Sequence, residues 1–415
     1  MNTSSADAHG VTLSHIEEAA LALKGVAQRT PIDHATHLSD VLGVPVMMKL
    51  ENLQRTGSFK LRGATYRLSR LTEAERAHGV VAASAGNHAQ GIAFAAQQLG
   101  IDATIFMPLG APVPKLLATK GYGATVITEG ATVEECLAQA ADHAERTGAV
   151  MIHPFDHVDV IAGQGTIGLE IMQDVPDVQT IVVPMGGGGL ISGIAVAAKA
   201  MAAQQGREVR IIGVQASASA AFPASLAVGH PITIERGATI ADGIAVARPG
   251  SHTFPIVRDL VDQIVTVDED DLARAVLTVL ERTKLVVEPA GATPVAAILG
   301  GLIEPEGPTV VLLSGGNIDP LLMQRIIAHG LVASGRYMTM RIPLPDRPGQ
   351  LARVSELLAR AGANVIEVLH TRHDLGLTLN DVVLQVSVET RGPNHQRDVL
   401  ATLAQAGFHP EVADS

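Results

Sequence analysis

The sequence predicts an α/β protein with mostly parallel sheets and flanking helices, followed by a smaller α+β module. Short apolar runs alternate with helical segments of about 10–15 residues, which is the pattern of βαβ units. The runs are nearly continuously apolar, as expected for strands that are covered on both faces. Near residue 335 the order of elements changes. The 415 residues are 47% hydrophobic and 17% charged, which is enough to bury more than one large core.

The first predicted element is an amphipathic helix over residues 14–28. Ser14 and Glu17 have the spacing of a capping box, and Pro31 ends the segment. The alternating part that follows supplies the candidate strands Val46–Leu50, Val80–Ser84, Thr104–Met107, Thr125–Thr128, Met151–His153, Ile181–Pro184, Ile211–Gln215, Gln263–Val267 and Thr309–Leu313. The predicted helices between them include Asn87–Leu99, Thr132–Arg146 and Leu190–Ala203.

The C-terminal module begins after a glycine-containing link. An alternating strand leads into a turn at Pro345–Gly349, followed by helix Gln350–Ala361, strands Asn364–Leu369 and Asp381–Glu389, helix Asn394–Ala406 and a short strand near Phe408–Val412. The order βαββαβ in about 80 residues is typical of a ferredoxin-like domain. We therefore predict two domains, 1–332 and 336–415, with a smaller subdomain at about 48–150 inside the first.

Charge and hydropathy exclude some classes of partner. The formal net charge is −12, and no cluster of Lys and Arg stands out, which argues against nucleic acid as the main partner. No run of about 18 apolar residues predicts a membrane span. The N-terminus lacks the basic and apolar regions of a signal peptide. We therefore expect a cytoplasmic protein without a membrane partner.

The stretch GSFKLRGA places Lys60 just before a predicted helix. A helix N-terminus carries partial positive charge and free N–H groups, so the pKa of a lysine there should fall. A partly neutral lysine reacts more readily with an aldehyde. Alone this signal is weak, because most lysines after a turn are solvated surface charges.

A run of glycines forms the second motif. Gly186, Gly187, Gly188, Gly189 and Leu190 follow an apolar strand and open an apolar helix. Backbone N–H groups in such a turn can converge on one anion, so the run predicts a phosphate cradle. The run is neither a Walker loop nor a clean G-x-G-x-x-G signature. A tight turn that serves only packing is the alternative.

Two further motifs also lie at predicted strand ends. SAGNHAQG places Gly86 and Asn87 at the start of a helix, where free N–H groups could hold a carboxylate and the Asn87 amide could bond a ring hydroxyl. LLSGGNID places Ser314 at its strand end, where a hydroxyl could bond a ring nitrogen. Taken separately, both stretches also fit ordinary capped turns.

Together the four motifs point to one cofactor. All lie at predicted carboxyl ends of strands, where open α/β sheets bind ligands. A reactive lysine, a phosphate cradle, a donor to a ring oxygen and a partner for a ring nitrogen describe pyridoxal phosphate (PLP). The motifs and their order resemble the serine/threonine dehydratase family of fold-type II PLP enzymes over roughly residues 10–330. The resemblance implies two open, mostly parallel sheets with flanking helices.

The resemblance also implies a role for each motif. Lys60 would bind PLP covalently, and the glycine cradle (residues 186–189) with Leu190 would hold its phosphate. Asn87 would contact the ring O3, and Ser314 would meet the pyridine nitrogen. The loop Ser84–Asn87 would bind the substrate carboxylate.

The residue at position 314 bears on the reaction type. An aspartate would keep the ring protonated and stabilise a carbanion, whereas Ser314 should leave the ring neutral. That favours β-elimination over transamination or racemisation. The resemblance implies conversion of L-threonine to 2-oxobutanoate and ammonia, with Lys60 removing the Cα proton and serine giving pyruvate in a side reaction.

Two departures from related serine racemases narrow this expectation. Where those enzymes carry a second acid/base serine, this chain has Ala85, which cannot transfer a proton. Where they bind a divalent cation through carboxylates, this chain has Gln215 in a stretch without one. We therefore expect no racemisation and no metal. His153 and His157 lack a third nearby ligand and are interpreted as structural.

The C-terminal module resembles an ACT domain through LPDRPGQLARVSELLARAGANVIEV, residues 344–368. In that family the turn and the following helix bind a small ligand, usually an amino acid, between two paired domains. The resemblance implies an amino-acid effector and a homodimer or homotetramer. The candidate effector residues are Asp346, Gly349, Gln350, Leu351 and Asn364. A domain that only dimerises is the alternative, and neither the effector nor the sign of its effect follows from the residues.

Other functions are also considered. A dehydratase of this family could prefer serine or 3-hydroxyaspartate; the latter should need an extra cation in the pocket, which the sequence does not place. A non-catalytic amino-acid sensor is opposed by the intact four motifs. A nucleotide-binding oxidoreductase should have a G-x-G-x-x-G turn and an acidic residue about 20 positions after it. The stretch GGGGLISG offers neither signal cleanly. The residues do not decide between isoleucine biosynthesis and threonine breakdown.

Overall fold

The computed structural model describes residues 9–371 and 381–413. The chain divides into two compact units, the first ending at Asp319 and the second beginning at Pro320. We predicted the boundary after residue 332. The observed division lies earlier, and helix Pro320–Ala333 therefore belongs to the second unit. Within the described ranges, no helix is both long enough and apolar enough to span a bilayer.

Two sheets form the framework of the first unit. Their strands are β1 (Ile32–His34), β2 (Val46–Leu50), β3 (Val80–Ala83), β4 (Ala103–Met107), β5 (Thr125–Thr128), β6 (Val150–Met151), β7 (Thr180–Pro184), β8 (Arg210–Ala216), β9 (Gln263–Val267) and β10 (Thr309–Leu313). The large sheet has the order β1-β2-β10-β7-β8-β9, and the small sheet has the order β5-β4-β3-β6. Only the β1–β2 pairing is antiparallel among these strands.

The predicted strands are present: β2, β5, β9 and β10 have the predicted ends, and the ends of the others shift by at most two residues. Strand β1 was not predicted. This strand has three residues, two of them exposed, so no apolar run reveals it. Strand β2 pairs with β10 in the large sheet. The predicted subdomain at about 48–150 therefore overlaps the large sheet at its start.

Helices cover the sheets of the first unit. They are α1 (Leu13–Ala22), α2 (Thr36–Leu42), α3 (Lys60–Ser69), α4 (Glu73–His78), α5 (Asn87–Leu99), α6 (Val113–Gly121), α7 (Val133–Thr147), α8 (Val158–Asp174), α9 (Gly189–Gln204), α10 (Ala221–Val228), α11 (Thr253–Leu260), α12 (Glu269–Thr283) and α13 (Pro289–Leu299), with 3₁₀ turns at Glu51–Leu53, Ser217–Ser219 and Asp242–Ile244.

The predicted first helix is wrong at both ends. Thr12, with extended backbone, is the N-cap, and its hydroxyl accepts a hydrogen bond from the His15 N–H at 3.3 Å. Ser14 therefore lies inside the helix and makes no capping box with Glu17. The helix stops at Ala22, six residues before the predicted end.

The second unit is an α+β domain. Its elements are α14 (Pro320–Ala333), β11 (Tyr337–Pro345), α15 (Gln350–Arg360), β12 (Asn364–Thr371), β13 (Asp381–Glu389), α16 (Pro393–Gln405) and β14 (Glu411–Val412). The antiparallel sheet has the order β12-β13-β11-β14. Apolar side chains of β11 and β13 form one core with the buried faces of α15 and α16. The predicted ferredoxin-like order βαββαβ is confirmed.

Close helix packing fixes where the strand-end segments of the first unit lie. Helix α8 contacts both α3 and α9. A Cβ added to Gly163 would lie 2.6 Å from the Cα of Gly63, and one added to Gly193 would lie 2.5 Å from the N of Gly165. These contacts leave no room for any side chain larger than hydrogen. The start of α3 and the start of α9 are thereby held at a set separation.

A buried ionic cluster ties α3 to its surroundings. Arg62 donates to Glu51 at 2.7 and 2.9 Å and to Glu170 at 2.6 Å, and Lys49 donates to Glu170 at 2.6 Å. Burial opposes ionisation of Glu51, yet Arg62 outweighs it and lowers the pKa of this carboxyl. Removing one partner would leave an uncompensated charge in the core.

We expect Arg62→Met to lower the free energy of unfolding by about 3–5 kcal/mol, because Glu51 would lose its buried partner. Arg258→Met is the matched control, since Arg258 pairs with Asp259 at an exposed site. The control should lose at most about 1 kcal/mol. Urea denaturation followed by far-UV circular dichroism measures both changes, and equal losses would contradict this account of the cluster.

Candidate active site

One cavity of about 430 Å³ lies between the two sheets of the first unit. It is lined by residues of all four predicted motifs: Lys60, Ser84, Ala85, Gly86, Asn87, Gly186, Gly187, Gly188, Gly189, Leu190 and Ser314. The structure thus brings together every residue predicted for the cofactor and the substrate carboxylate.

Sheet topology explains this convergence. The segments that carry Lys60, Ser314 and the glycine cradle follow β2, β10 and β7, which are neighbours in the large sheet. The N–H of Phe59 donates to the Ser314 carbonyl at 3.1 Å, which ties two of these segments together. The Ser84–Asn87 loop follows β3 and comes from the small sheet.

Lys60 is the first residue of α3, and its side chain faces the cavity. Its Nζ donates to the Pro154 carbonyl at 2.9 Å and lies 5.3 Å from the centroid of the Phe59 ring. Burial lowers the pKa of Lys60 to about 8, and the charge of Glu288 partly offsets that effect. The pKa falls as predicted, but desolvation rather than the helix terminus is the largest cause.

The glycine cradle is shaped for an anion. Gly188 is the N-cap of α9 with φ of +94°, so it contributes no side chain to cap the helix. A Cβ on Gly187 would overlap the Phe155 ring, and one on Gly189 would lie 2.7 Å from the Phe155 carbonyl. Thr253 donates to the Gly187 carbonyl at 2.7 Å and fixes the turn. The α9 N–H groups are left to bind an anion.

The Ser84–Asn87 loop lies at the N-terminus of α5 and lines the same cavity. The Ser84 hydroxyl accepts from the Gly86 N–H at 3.1 Å, and Gly86 is the N-cap of α5 without a side-chain capping bond. A Cβ placed on Gly86 would lie 3.7 Å from Nζ of Lys115. A helix N-terminus beside a cation suits a carboxylate. The sequence did not reveal Lys115, because α6 places it here from another part of the chain.

The Asn87 side chain does not cap its helix, so the alternative of an ordinary capped turn does not account for this residue. Its Nδ2 donates to Oε1 of Glu288 at 2.6 Å, and its Oδ1 accepts from Nδ2 of Asn317 at 2.9 Å. Glu288 is a cavity residue that the sequence analysis missed. Its signal is a single acid within the apolar run VVEPAGA.

His153, His157 and Gln215 accept hydrogen bonds from backbone N–H groups, and His153 also lines the cavity. His153 accepts backbone hydrogen bonds from Phe155 and Asp156 at 3.3 and 2.8 Å, and His157 accepts one from Asp159 at 3.1 Å. The Gln215 Oε1 accepts from the Phe222 N–H at 3.1 Å. No group of three or more His, Cys, Asp or Glu in the described residues could hold a metal ion.

The second unit has its own cavity of about 290 Å³ at the turn between β11 and α15. Four of the predicted effector residues line it: Asp346, Gly349, Gln350 and Leu351. Asn364 does not; its Nδ2 lies 3.5 Å from the Glu389 carboxylate on the neighbouring strand. His370 at the end of β12 lines the cavity instead. The position of Asn364 at the start of β12 therefore does not bring its side chain to the turn between β11 and α15.

Two family models match the chain. A model described as pyridoxal-phosphate dependent enzyme matches residues 23–315, and a model described as ACT domain matches residues 339–408.

Relatives and solved structures agree with these models. The chain is 45% identical over 398 residues to L-threonine ammonia-lyase of Geobacter sulfurreducens, covering 96% of this chain and 98% of the relative. It is 46% identical over 402 residues to L-threonine ammonia-lyase of Thermotoga maritima, covering 97% and 99%. Processed threonine deaminase isoform 2 from Solanum lycopersicum has a TM-score of 0.73 at 35% identity, covering 77% of this chain and 90% of that one. Maize serine racemase has a TM-score of 0.72 at 36% identity, covering 77% and 98%.

The cavity itself fits PLP: an amine of lowered pKa faces it, a glycine turn with free N–H groups can take a phosphate, and a buried serine can meet a ring atom. From the matched models and the relatives, we conclude that the chain belongs to the pyridoxal-phosphate dependent enzyme family and carries a C-terminal ACT domain.

Proposed function

We propose that this protein is a PLP-dependent L-threonine ammonia-lyase that forms 2-oxobutanoate and ammonia. The observation that carries the proposal is the meeting of Lys60, the glycine cradle, Asn87 and Ser314 around one cavity. The names of the relatives that match this chain over nearly its full length supply the substrate. Serine would react in a side reaction and give pyruvate.

Each group in the cavity has a distinct task in this mechanism. The glycine cradle would hold the cofactor phosphate, Asn87 would contact the ring O3, and Ser314 would meet the ring nitrogen. PLP supplies the covalent electron sink that makes a Cα–H bond acidic. Lys60 would hold the cofactor and would take the Cα proton, because its pKa of about 8 leaves part of the amine neutral near physiological pH.

The Ser84–Asn87 loop and Lys115 would bind the substrate carboxylate. Ala85 places a methyl group where a second acid/base would be needed to protonate the opposite face, so inversion at Cα is disfavoured. The β-hydroxyl leaves as one water, and hydrolysis of the resulting imine consumes one water, so the two cancel. Threonine is thus converted to 2-oxobutanoate plus ammonia without an external oxidant.

The structure bears on the 3-hydroxyaspartate alternative. The sequence placed no extra cation in the pocket, but Lys115, Arg236 and Arg248 line the cavity in the structure. Lys115 is paired with Asp242 at 3.0 Å and Arg236 with Glu134 at 2.7 Å. Cations are therefore present at the cavity, and threonine is favoured by the names of the relatives rather than by a lack of positive charge. 3-Hydroxyaspartate belongs beside threonine and serine in the first assay.

Regulation through the ACT domain is the second part of the proposal. The cavity beside Gly349 would bind an amino-acid effector. Strand β12 is an edge strand whose Ile366, Val368 and Leu369 are 53%, 37% and 47% exposed. An apolar edge of this kind favours pairing with a second copy, which supports a homodimer or homotetramer.

Lys60→Ala should abolish both the visible absorbance of the lysine-bound cofactor and 2-oxobutanoate release, the latter by more than about 10³-fold. Lys199→Ala is the control, because Lys199 pairs with Asp262 away from the cavity. Absorbance and a 2-oxo acid assay measure the two effects. A colourless wild type would overturn the cofactor assignment, and a coloured wild type that leaves threonine unchanged would overturn the substrate.

The rate at which cofactor-free protein takes up PLP should rise with pH and level off above about pH 8. Lys60 reacts only when neutral, and its pKa is lowered to about 8 from 10.5. Stopped-flow absorbance measures the rate. A rate that keeps rising to about pH 10, as for an ordinary lysine, would contradict the lowered pKa.

Gly349→Ala should weaken binding of an amino-acid effector by about 10-fold or more. Gly349 has φ of +92°, and a side chain there strains the turn that lines the cavity. Gly392→Ala is the matched control, because Gly392 has φ of +111° in the same unit but does not line this cavity. Calorimetry with isoleucine, valine, threonine and serine tests this; equal effects of both variants would place the effector elsewhere.

A further inference from the structure

Glu288 is a buried acid at the active-site cavity that has no part in the proposed mechanism. It is the N-cap residue of α13 and is 4% exposed. Its backbone N–H donates to the Gly315 carbonyl at 3.0 Å. A Cβ on Gly315 would overlap Oε1 of Glu288, so the carboxyl is seated tightly against the segment that follows Ser314.

The carboxyl of Glu288 meets one end of the Asn87 amide. Nδ2 of Asn87 donates to Oε1 of Glu288 at 2.6 Å, while Oδ1 of Asn87 accepts from Asn317 at 2.9 Å. Asn317 is held in turn by its bond to the Thr56 carbonyl at 2.7 Å. Because an acceptor and a donor engage opposite ends, the amide cannot flip without losing both bonds. Its second Nδ2 hydrogen stays available to the cavity.

Charged groups face Glu288 from several elements. They are Lys60 on α3, Lys115 on α6 and Asp242 in the 3₁₀ turn Asp242–Ile244. Burial, and then Asp242, raise the pKa of Glu288 to about 7, while Lys115, Asn87 and Lys60 act in the opposite direction. Glu288 therefore changes charge close to the pH range in which Lys60 does.

We propose that Glu288 is a positioning residue: its carboxylate fixes the Asn87 amide with one N–H directed at the cofactor ring oxygen, and it supplies a negative charge facing Lys60. The cofactor part of this inference rests on the proposed function. The contact with Asn87 and the titration of Glu288 do not depend on a bound cofactor.

Two substitutions separate the effect of the Glu288 side-chain length from the effect of its charge. Glu288→Gln keeps an acceptor at the position of Oε1 but cannot titrate, so the dissociation constant for PLP at pH 8 should rise less than about 3-fold. Glu288→Asp keeps the charge but is one methylene shorter, so it should raise that constant about 10-fold, the size of one lost hydrogen bond. Glu134→Gln, which alters an exposed acid at the same cavity, should change it little.

A second readout uses cofactor-free protein. A carboxyl with a pKa of about 7 in the folded state and 4.5 ordinarily binds more protons when folded. Stability of the wild type should therefore fall, relative to Glu288→Gln, as the pH rises from about 5 to about 8. Glu134→Gln should run parallel to the wild type over that range.

The outcomes distinguish this inference from the proposed function. If the wild type binds no PLP, the proposed function fails, and the cofactor-free stability profile still tests the titration of Glu288. Parallel stability profiles together with equal PLP affinities of all variants would overturn the role of Glu288. If neither Glu288 variant folds, Asn317→Ala releases the other end of Asn87 and should weaken PLP binding about 10-fold; unchanged binding would overturn the inference.

Discussion

The close contact of α3, α8 and α9 is the constraint on which the active site depends. Helix α3 begins with Lys60 and α9 begins at the glycine cradle, and α8 packs against both through glycines that cannot carry a side chain. Backbone-to-backbone contact leaves little freedom for one helix to shift against another. A reactive amine and an anion site must keep a set distance if one small cofactor is to bridge them. The glycines at the helix contacts therefore fix the distance between Lys60 and the glycine cradle, although they lie outside the cavity.

Two cations on the same helix show how burial can have opposite results. Arg62 is buried between Glu51 and Glu170, whose charges raise its pKa above the ordinary value despite desolvation. Lys60, two positions earlier, faces Glu288 without an ion pair, and desolvation lowers its pKa to about 8. The ion-paired Arg62 supports the fold, whereas the lowered pKa of Lys60 suits the proposed role of a nucleophile and base. The partners, rather than the depth of burial, separate the two roles.

Much of this could be predicted from the sequence, because parallel strands covered on both faces leave long apolar runs and their carboxyl ends carry glycine-rich turns. Strands β2, β5, β9 and β10 have the predicted ends. Strand β1 was missed because it is short and exposed, and α1 was misplaced because Thr12 caps it ahead of Ser14. Glu288 and Lys115 reach the cavity by tertiary packing, which periodicity does not encode. Periodicity also does not show where the Asn364 side chain points. We predicted it at the effector cavity, but it contacts Glu389 on the neighbouring strand.

The most direct test of the central claim is to find where the cofactor is attached. Borohydride would reduce the bond between PLP and the protein, and peptide mass mapping would then locate the added pyridoxyl group. We predict one modified peptide, carrying the group on Lys60. Attachment at another lysine, or no stable attachment in a protein that deaminates threonine, would contradict the account of this cavity.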